Sequence, residues 1–446
     1  MKIGQAVIEN KEMMIQDIVR LLKVPSVLGN EEFGKPFGRA IDAALDVALD
    51  IADKLGYRTF KDPNGYYGYA EIGVGEELIG ILGHLDVVPE GDVEHWSFPP
   101  YEGVIHNGRI YGRGVQDDKG PVVASMYAVK ALIDLKYEVN KRIRFIFGTD
   151  EENHWRGICK YMSEQEVPAY GFTPDSSFPV IYAEKGLLQV KLKSDKPSPV
   201  NVRAGMALNA VPESAQVKCE QYVKLERVLK RMGFDYENDG EEILVIGRSS
   251  HAAKPNAGIN AINRLALALK EMNISSPAID FLADKVGLTN FGELIFGDCR
   301  DEISGKLTLN VGKVDFSKYG EMIAIDIRFP VTVKKDFVVN AIKRVAEKYG
   351  LKYHELDYLA PIYIEREHPL VAELTRVYIE ETGLDGTPLA TGGATYARAM
   401  KNCVAFGATF PGQPRLEHQV DEYVEIDYLI KATQIYAKAI KALIER

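Results

Sequence analysis

The chain has 446 residues, 46% of them hydrophobic and 26% charged, a composition that excludes a disordered, collagen-like or coiled-coil protein. Its length suffices to bury large cores and predicts about two or three domains. Lys and Arg number 54 against 64 Asp and Glu, and the formal net charge of -10 argues against binding nucleic acid or an anionic membrane through bulk charge.

The cysteines and the N-terminus indicate the compartment. The cysteines are scattered and form no C-x-x-C pair: Cys159, Cys219, Cys299 and Cys403. We therefore expect thiols in a reducing compartment rather than a disulfide framework or a zinc knuckle. Charges interrupt the apolar residues at the N-terminus, and no uncharged apolar run approaches about 20 residues, so neither a signal peptide nor a membrane span is expected. These features predict a cytoplasmic protein.

Strand and helix patterns alternate through the first part of the chain. Helical spacing of apolar residues covers 5–23, 38–55 and 121–135, and continuous apolar runs at 78–82 and 142–147 predict buried strands. This alternation predicts an α/β domain with a mixed, largely parallel sheet. Ligands bind beyond the carboxyl ends of such strands, and a polar cluster follows each predicted strand.

The pattern changes near residue 184, where several strand-like runs pair with fewer helices. Strands are predicted at 188–192, 242–246, 306–311 and 322–328, and helices at 257–272, 336–349, 368–382 and 425–445. Runs of strands with helices favour an α+β insert. We predict a discontinuous first domain of residues 1–185 and 361–446, interrupted by an inserted α+β domain of residues 186–360.

Two acidic motifs lie in the first domain. His84 and Asp86 form H-x-D directly after a predicted strand, a weak motif that also occurs as a polar turn. The glycine-rich stretch GRGVQDDKGP at 112–121 has Asp117 and Asp118 at its centre. Carboxylates repel phosphate and suit a cation, so a nucleotide-binding module is the weakest alternative.

Further carboxylates and a late histidine complete a candidate ligand set. The neighbours Glu151 and Glu152 follow a predicted strand, where they form either a solvated acidic turn or a metal ligand beside a proton carrier. Asp175 and His418 follow later. Histidine and carboxylate ligands without thiolates fit zinc, cobalt or manganese, and five ligands with one shared carboxylate suit a two-metal site for amide hydrolysis.

The motifs occur in the order of a known family. They are GHLDVVP at 83–89, GRGVQDDKGP at 112–121, GTDEENHW at 148–155, TPDSSFP at 173–179, RSSHAAKP at 248–255, TGGATYAR at 391–398 and EH at 417–418. The ordered set resembles the co-catalytic metallopeptidase family of aminoacylases, glycine-specific carboxypeptidases, desuccinylases and carnosinases, and within it the PepV-type dipeptidases. The resemblance implies a zinc-exopeptidase-like catalytic domain whose insert serves as a lid.

The resemblance also implies two divalent cations per chain, with zinc expected and manganese or cobalt as alternatives. His84 and Asp175 would hold one cation, Glu152 and His418 the other, and Asp117 would bridge both.

Three further residues receive catalytic roles from the resemblance. Asp86 would orient His84, Glu151 would act as general base and then acid, and His251 of the lid would donate to the oxyanion. Asp118 is predicted to hydrogen-bond locally rather than to bind metal.

Substrate contacts implied by the resemblance lie mainly in the second half of the chain. Arg328 would hold the substrate's C-terminal carboxylate, and Asn209 would lie in the lid near the scissile bond. The glycine-rich loop would contribute Gly392, Gly393 and Thr395, with Ala394 where the PepV pattern has a third glycine.

The implied function is hydrolysis of small, unblocked dipeptides by a monomer, with a dimer as the alternative state. An N-acyl amino acid hydrolase of the same fold is the alternative enzyme. A non-catalytic metal-binding interaction protein is the alternative from another class.

Overall fold

The computed structural model describes residues 2–446. The first part of the chain contains α1 (Ile3–Glu9), α2 (Lys11–Leu22), α3 (Arg39–Lys54), β1 (Arg58–Lys61), β2 (Gly68–Ile72), β3 (Leu78–His84), β4 (Val104–His106), β5 (Arg109–Tyr111), α4 (Lys119–Asp134), β6 (Arg142–Gly148), α5 (Arg156–Glu164), β7 (Tyr170–Thr173), β8 (Ser176–Ser177) and β9 (Val180–Glu184). The middle part contains β10 (Gly186–Ser194), β11 (Asn201–Ala204), β12 (Ser214–Lys218), α6 (Tyr222–Met232), β13 (Tyr236–Asn238), β14 (Ile243–Ile246), α7 (Ala261–Glu271), α8 (Pro277–Phe281), α9 (Glu293–Phe296), β15 (Arg300–Asp301), β16 (Gly305–Lys306), β17 (Thr308–Ser317), β18 (Gly320–Phe329), α10 (Lys335–Lys348), β19 (Lys352–Leu359) and β20 (Ile362–Tyr363). The last part contains α11 (Pro369–Thr382), β21 (Leu389–Thr391), β22 (Cys403–Phe406), β23 (Ala408–Thr409), β24 (Tyr423–Glu425) and α12 (Ile426–Glu445).

The chain divides into two compact units. Unit 1 comprises the chain up to Tyr182 together with Ile364–Leu389 and Thr395–Arg446, and unit 2 comprises Ala183–Tyr363 and Ala390–Ala394. Unit 2 therefore begins before residue 186 and ends after residue 360, the limits expected from sequence. It also takes in Ala390–Ala394, a segment predicted to belong to the first domain.

The sheet of unit 1 is mixed, with its parallel strands at the centre. Strands β6, β3, β7 and β22 lie side by side and run parallel, while β1, β2 and β9 continue the sheet antiparallel. Every residue of β3 is buried, as expected for a central strand with an unbroken apolar run. Strands β3 and β7 pack closely at Gly171, where a Cβ atom would lie 2.0 Å from the carbonyl oxygen of Gly80. This sheet confirms the predicted α/β class.

Helices of unit 1 pack beside this sheet, and their first break differs from the prediction. The spacing over residues 5–23 predicts one helix, but the structure has α1 and α2, separated at Asn10. The Asn10 amide donates to the carbonyl oxygen of Ala6 at 3.0 Å and to Asp134 of α4 at 2.8 Å. Such side-chain bonds compete with the regular helical pattern and account for the break. Helix α4 packs against α12 and β3.

Unit 2 is built on one antiparallel sheet. Its eight strands follow the order β13-β14-β12-β11-β17-β18-β10-β19, and each adjacent pair is antiparallel. Helix α7 packs on β12, β14 and β17, and α8 packs on β18 and β10, which encloses one continuous hydrophobic core. The α+β character of the insert is therefore confirmed.

Two absences concern the whole described chain. Within residues 2–446, no cysteine pair forms a disulfide. No helix in that range is both long enough and apolar enough to cross a membrane.

Candidate active site

Three neighbouring strands of unit 1 end in polar side chains. His84 is the last residue of β3, Glu151 and Glu152 follow β6, and Asp175 follows β7. These strands are adjacent and parallel, so their carboxyl ends share one edge of the sheet, where ligands bind in α/β folds.

Two loops of unit 1 add the remaining ligand candidates. Asp117 lies two residues before α4, in the glycine-rich stretch 112–121. His418 lies in the loop between β23 and β24. His418 has a left-handed backbone with φ at +65°, which few residues other than glycine adopt.

Asp117 joins two groups of side chains that could each hold a metal ion. In the first group, Nε2 of His84 lies 2.7 Å from Oδ1 of Asp117 and 3.7 Å from Oδ2 of Asp175. In the second, Nε2 of His418 lies 3.1 Å from Oδ2 of Asp117 and 3.0 Å from Oε1 of Glu152. Ligand atoms within each group lie within 4.8 Å of one another, and Asp117 offers a different oxygen to each group.

The chemistry of this donor set fits two divalent cations. Two imidazole nitrogens and three carboxylates, without thiolates, suit zinc, manganese or cobalt. Burial raises the pKa of Asp175 and Glu152, and the charge of Asp117 adds to that effect. Burial opposes protonation of His418, but Asp117 and Glu152 outweigh it and raise its pKa to about 11. A positive charge is therefore strongly favoured at this position.

Glu151 lies beside the two groups and belongs to neither. Its Oε1 atom is shielded from solvent and has no hydrogen-bond partner within residues 2–446. Burial raises the pKa of Glu151 well above its ordinary value, and the charges of Glu152, Asp117 and Asp86 add to the rise while His84 opposes it. A buried carboxyl group with an unused oxygen is equipped to accept and return a proton.

Asp86 supports the site in two ways. Its main-chain oxygen lies 2.9 Å from Nδ1 of His84, whereas its Oδ1 is 3.6 Å from that nitrogen. The carboxylate instead accepts the main-chain N–H groups of Glu151 at 3.1 Å and Glu152 at 3.0 Å. The resemblance implied that Asp86 orients His84, and in the structure the main-chain oxygen of Asp86 makes the shorter contact with the ring.

Asp118 has a different place from its neighbour Asp117. It is fully buried, and its Oδ2 accepts the main-chain N–H of His84 at 3.3 Å. Asp118 is in neither ligand group, and its hydrogen-bond partner His84 is 34 residues away in the chain.

A buried ion pair close to the main chain of Asp117 was not predicted from the sequence. Nη1 of Arg113 lies 2.7 Å from Oε2 of Glu422, and both side chains are almost fully buried. Burial raises the pKa of Glu422 to about 7, while Arg113 and the N–H groups of Gly114 and Gln116 oppose the rise. The two partners are 309 residues apart, so no local pattern pairs them. The one sequence signal that could have identified Glu422 is its position four residues after the candidate ligand His418.

Unit 2 brings the predicted lid residues His251 and Asn209 together. The main-chain N–H of Ala252 donates to the carbonyl oxygen of Asn209 at 2.8 Å. Nδ1 of His251 accepts the main-chain N–H of Ala253 at 3.1 Å. The neutral ring therefore carries its proton on Nε2, the form that can donate a hydrogen bond there.

Arg328 also meets the loop that contains Gly392 and Gly393, in unit 2. Nε and Nη2 of Arg328 pair with the two carboxylate oxygens of Asp326 at 2.7 and 3.0 Å, and Nη1 donates to the carbonyl oxygen of Gly392 at 3.0 Å. A Cβ atom on Gly392 would lie 3.0 Å from that of Ala253. Ala394 does not have a positive φ, so alanine fits there without strain.

Two other predicted contact residues, Gly393 and Thr395, belong to the same stretch of residues 391–398. The main-chain N–H of Gly393 donates to Oγ1 of Thr391 at 3.0 Å. Thr395 is in unit 1, where its Oγ1 accepts the main-chain N–H of Ala397 at 3.2 Å.

Proteins with similar sequences cover nearly the whole chain. A Bacillus subtilis (strain 168) protein named "Putative dipeptidase YtjP" is 37% identical over 461 residues, covering 98% of each chain. A Staphylococcus haemolyticus (strain JCSC1435) protein named "Putative dipeptidase SH1171" is 32% identical, also covering 98% of each chain.

Solved structures share the fold at low sequence identity. The dipeptidase Dug1p of Saccharomyces cerevisiae matches with a TM-score of 0.66 and 13% identity, covering 100% of this chain and 98% of its own. Human carnosine dipeptidase 1 matches with a TM-score of 0.64 and 16% identity, over the same shares of the two chains. The model of peptidase family M20/M25/M40 matches residues 80–442, which include all the ligand candidates. The chain belongs to the M20/M25/M40 peptidase family and is a metallopeptidase.

Proposed function

We propose that this enzyme hydrolyses unblocked dipeptides to free amino acids at a two-cation centre. The observation that carries the proposal is the pair of ligand groups sharing Asp117, with the unused carboxyl oxygen of Glu151 beside them. The names of its sequence relatives support a dipeptide as the substrate class.

The two cations would be held by the side chains of unit 1. His84 and Asp175 would bind one, Glu152 and His418 the other, and Asp117 would contact both. We expect zinc, with manganese or cobalt as alternatives. When bound, such cations polarise a substrate carbonyl and lower the pKa of a nearby water.

Glu151 would carry the proton during hydrolysis. Its carboxylate would take a proton from the attacking water as the C–O bond forms, and the acid would return it to the leaving nitrogen as the C–N bond breaks. Its raised pKa suits both steps, because the group must be a base first and an acid afterwards. Asp86 would fix the main chain at Glu151 and keep its carboxyl group in place.

Residues of unit 2 would recognise the substrate. His251 would donate from Nε2 to the oxygen of the reacting carbonyl, where negative charge develops. Arg328, whose plane is fixed by Asp326, would bind the terminal carboxylate.

The remaining substrate contacts follow from the resemblance. Asn209, Gly392, Gly393 and Thr395 would line the substrate's path. We expect one chain to suffice, with His251 acting within its own molecule.

Amino-acid release from a panel of substrates tests the function. Metal-stripped protein receives zinc, manganese or cobalt and is assayed on free dipeptides, tripeptides, and N-acetyl and N-succinyl amino acids, with Glu151→Gln as the inactive control. Metal-dependent cleavage confined to free dipeptides is the expected result. Cleavage of acylated substrates alone would instead identify an N-acyl amino acid hydrolase. A protein that binds two cations and cleaves nothing would contradict the proposal and favour a non-catalytic role.

A further inference from the structure

One buried carboxylate, that of Glu422, accepts hydrogen bonds from the main chain of the glycine-rich stretch 112–121, which carries Asp117. Oε1 of Glu422 accepts the main-chain N–H groups of Gln116 at 2.8 Å and Asp117 at 3.4 Å. Oε2 accepts the main-chain N–H of Gly114 at 3.0 Å and Nη1 of Arg113 at 2.7 Å. Every one of these contacts gives a proton donor to Glu422, so its carboxylate acts only as an acceptor.

The same carboxylate belongs to the segment that carries His418. Arg113 donates from Nη1 to the carbonyl oxygen of Gln419 at 3.0 Å, one residue after that ligand. Gln116 accepts the main-chain N–H of Leu416 at 2.9 Å, two residues before it. His418 and Asp421 both have positive φ, at +65° and +54°, so this turn depends on its surroundings to keep its shape.

We propose that Glu422 is a positioning residue that sets the distance between Asp117 and His418, and thereby the affinity of the second cation site. The first site shares Asp117, but its other two ligands, His84 and Asp175, follow strands β3 and β7 rather than lying in the segment tied by Glu422. The second site requires His418, whose loop is tied to Asp117 by Glu422 and its partner Arg113. Loss of the Glu422 carboxylate should therefore weaken binding of the second cation more than binding of the first.

This inference rests on the proposed cation sites, although not on the choice of substrate. The probe is Mn²⁺ alone, because its paramagnetic resonance spectrum distinguishes free ions, single bound ions and spin-coupled pairs. Binding is measured on metal-stripped full-length protein, and no peptide substrate is needed.

Glu422→Gln is the first variant, because the amide nitrogen cannot accept the loop's N–H groups. We expect one Mn²⁺ to bind almost as in the wild type and the other to bind about 10- to 100-fold more weakly, with loss of the spin-coupled signal at intermediate concentrations. Glu425→Gln is the matched control, since Glu425 pairs at 3.1 Å with Arg109, which carries no candidate ligand. It should bind both ions as the wild type does.

A double variant separates positioning from stability. Glu422→Gln leaves Arg113 buried without its counter-charge, which can destabilise unit 1. Arg113→Met combined with Glu422→Gln removes that charge, so we expect the thermal midpoint to recover while the second ion remains weakly bound. Wild-type affinity for both ions in either folded variant would overturn the inference. A wild-type protein that binds two ions of neither Mn²⁺ nor Zn²⁺ would overturn the proposed function and this inference together.

Discussion

Asp86 accepts a hydrogen bond from the main-chain nitrogen of Glu152 at 3.0 Å, although 66 residues separate the two in the chain. The contact joins the end of β3 to the turn after β6. The contact positions the candidate metal ligand Glu152 through its main-chain N–H group rather than through its side chain.

Replacing Asp86 with Asn should therefore reduce activity without unfolding the protein. The amide nitrogen cannot accept the N–H of Glu151 or Glu152, so one of these residues loses its anchor. We expect kcat to fall about 10- to 100-fold, the usual cost of losing a group that orients metal ligands. Dipeptide turnover and bound metal per chain are measured together. Unchanged turnover in a folded Asp86→Asn protein would contradict this role.

The adjacent residues Glu151 and Glu152 should respond differently to the same substitution. Glu151→Gln should retain two cations and lose about 100-fold or more in kcat, because only the proton carrier is removed. Glu152→Gln should lower the metal content, because Glu152 contacts His418 in the second ligand group. Elemental analysis of dialysed protein and dipeptide turnover check both outcomes. Equal metal loss in the two variants would show that the roles are wrongly divided.

His251→Ala should impair catalysis and spare metal binding. Its ring lies in unit 2, whereas all the ligand candidates lie in unit 1. Loss of one oxyanion donor typically costs about 100- to 1,000-fold in kcat, and we expect a loss of that size. His354→Ala is the matched control, because His354 is an exposed histidine on β19 of the same unit. Wild-type kcat in His251→Ala would exclude the oxyanion role.

Glu71→Gln should make the stability of unit 1 less sensitive to acid. Glu71 is buried on β2, accepts Nε of Arg144 at 2.8 Å and pairs with Arg58 at 2.9 Å. Burial tends to raise the pKa of Glu71, but Arg144 and Arg58 outweigh it and hold the pKa below its ordinary value of 4.5. The stabilisation is therefore complete above about pH 4.5 and is lost as the pH falls through the lower pKa of the folded protein.

At pH 7 we expect Glu71→Gln to reduce the free energy of unfolding by about 1–3 kcal/mol, and the difference from wild type should shrink below about pH 4. Urea denaturation of metal-free protein measures it. Glu380→Gln is the control, because its partner Arg376 is one turn away on the exposed face of α11. A difference that grows on acidification would contradict the assigned sign.

The sequence predicted the ligand candidates because each stands in a short motif at a strand end or a loop. The apolar runs of β3 and β6 identify these ends, and parallel pairing brings them to one edge. Strand β1 was not predicted, because Arg58–Lys61 is short and partly exposed and carries charge at both ends. The break at Asn10 was missed because apolar spacing continues across it.

The supporting contacts could not be predicted in the same way. Arg113 meets Glu422 across 309 residues, and neither stands in a periodic pattern. The contacts of Asp86 could not be predicted from the sequence either. A motif identifies the residue but does not show whether its carboxylate or its carbonyl oxygen makes a given contact. Such details depend on how the loops fold over one another.

The ligand candidates span the chain from His84 to His418, with the whole of Ala183–Tyr363 between them. Protein synthesis proceeds from the N-terminus, so the ribosome must add His84 and the whole of the second unit's main segment before it adds His418. A nascent or truncated chain therefore has an incomplete second ligand group. We therefore expect the order of synthesis itself to withhold the two-cation centre until His418 has been added.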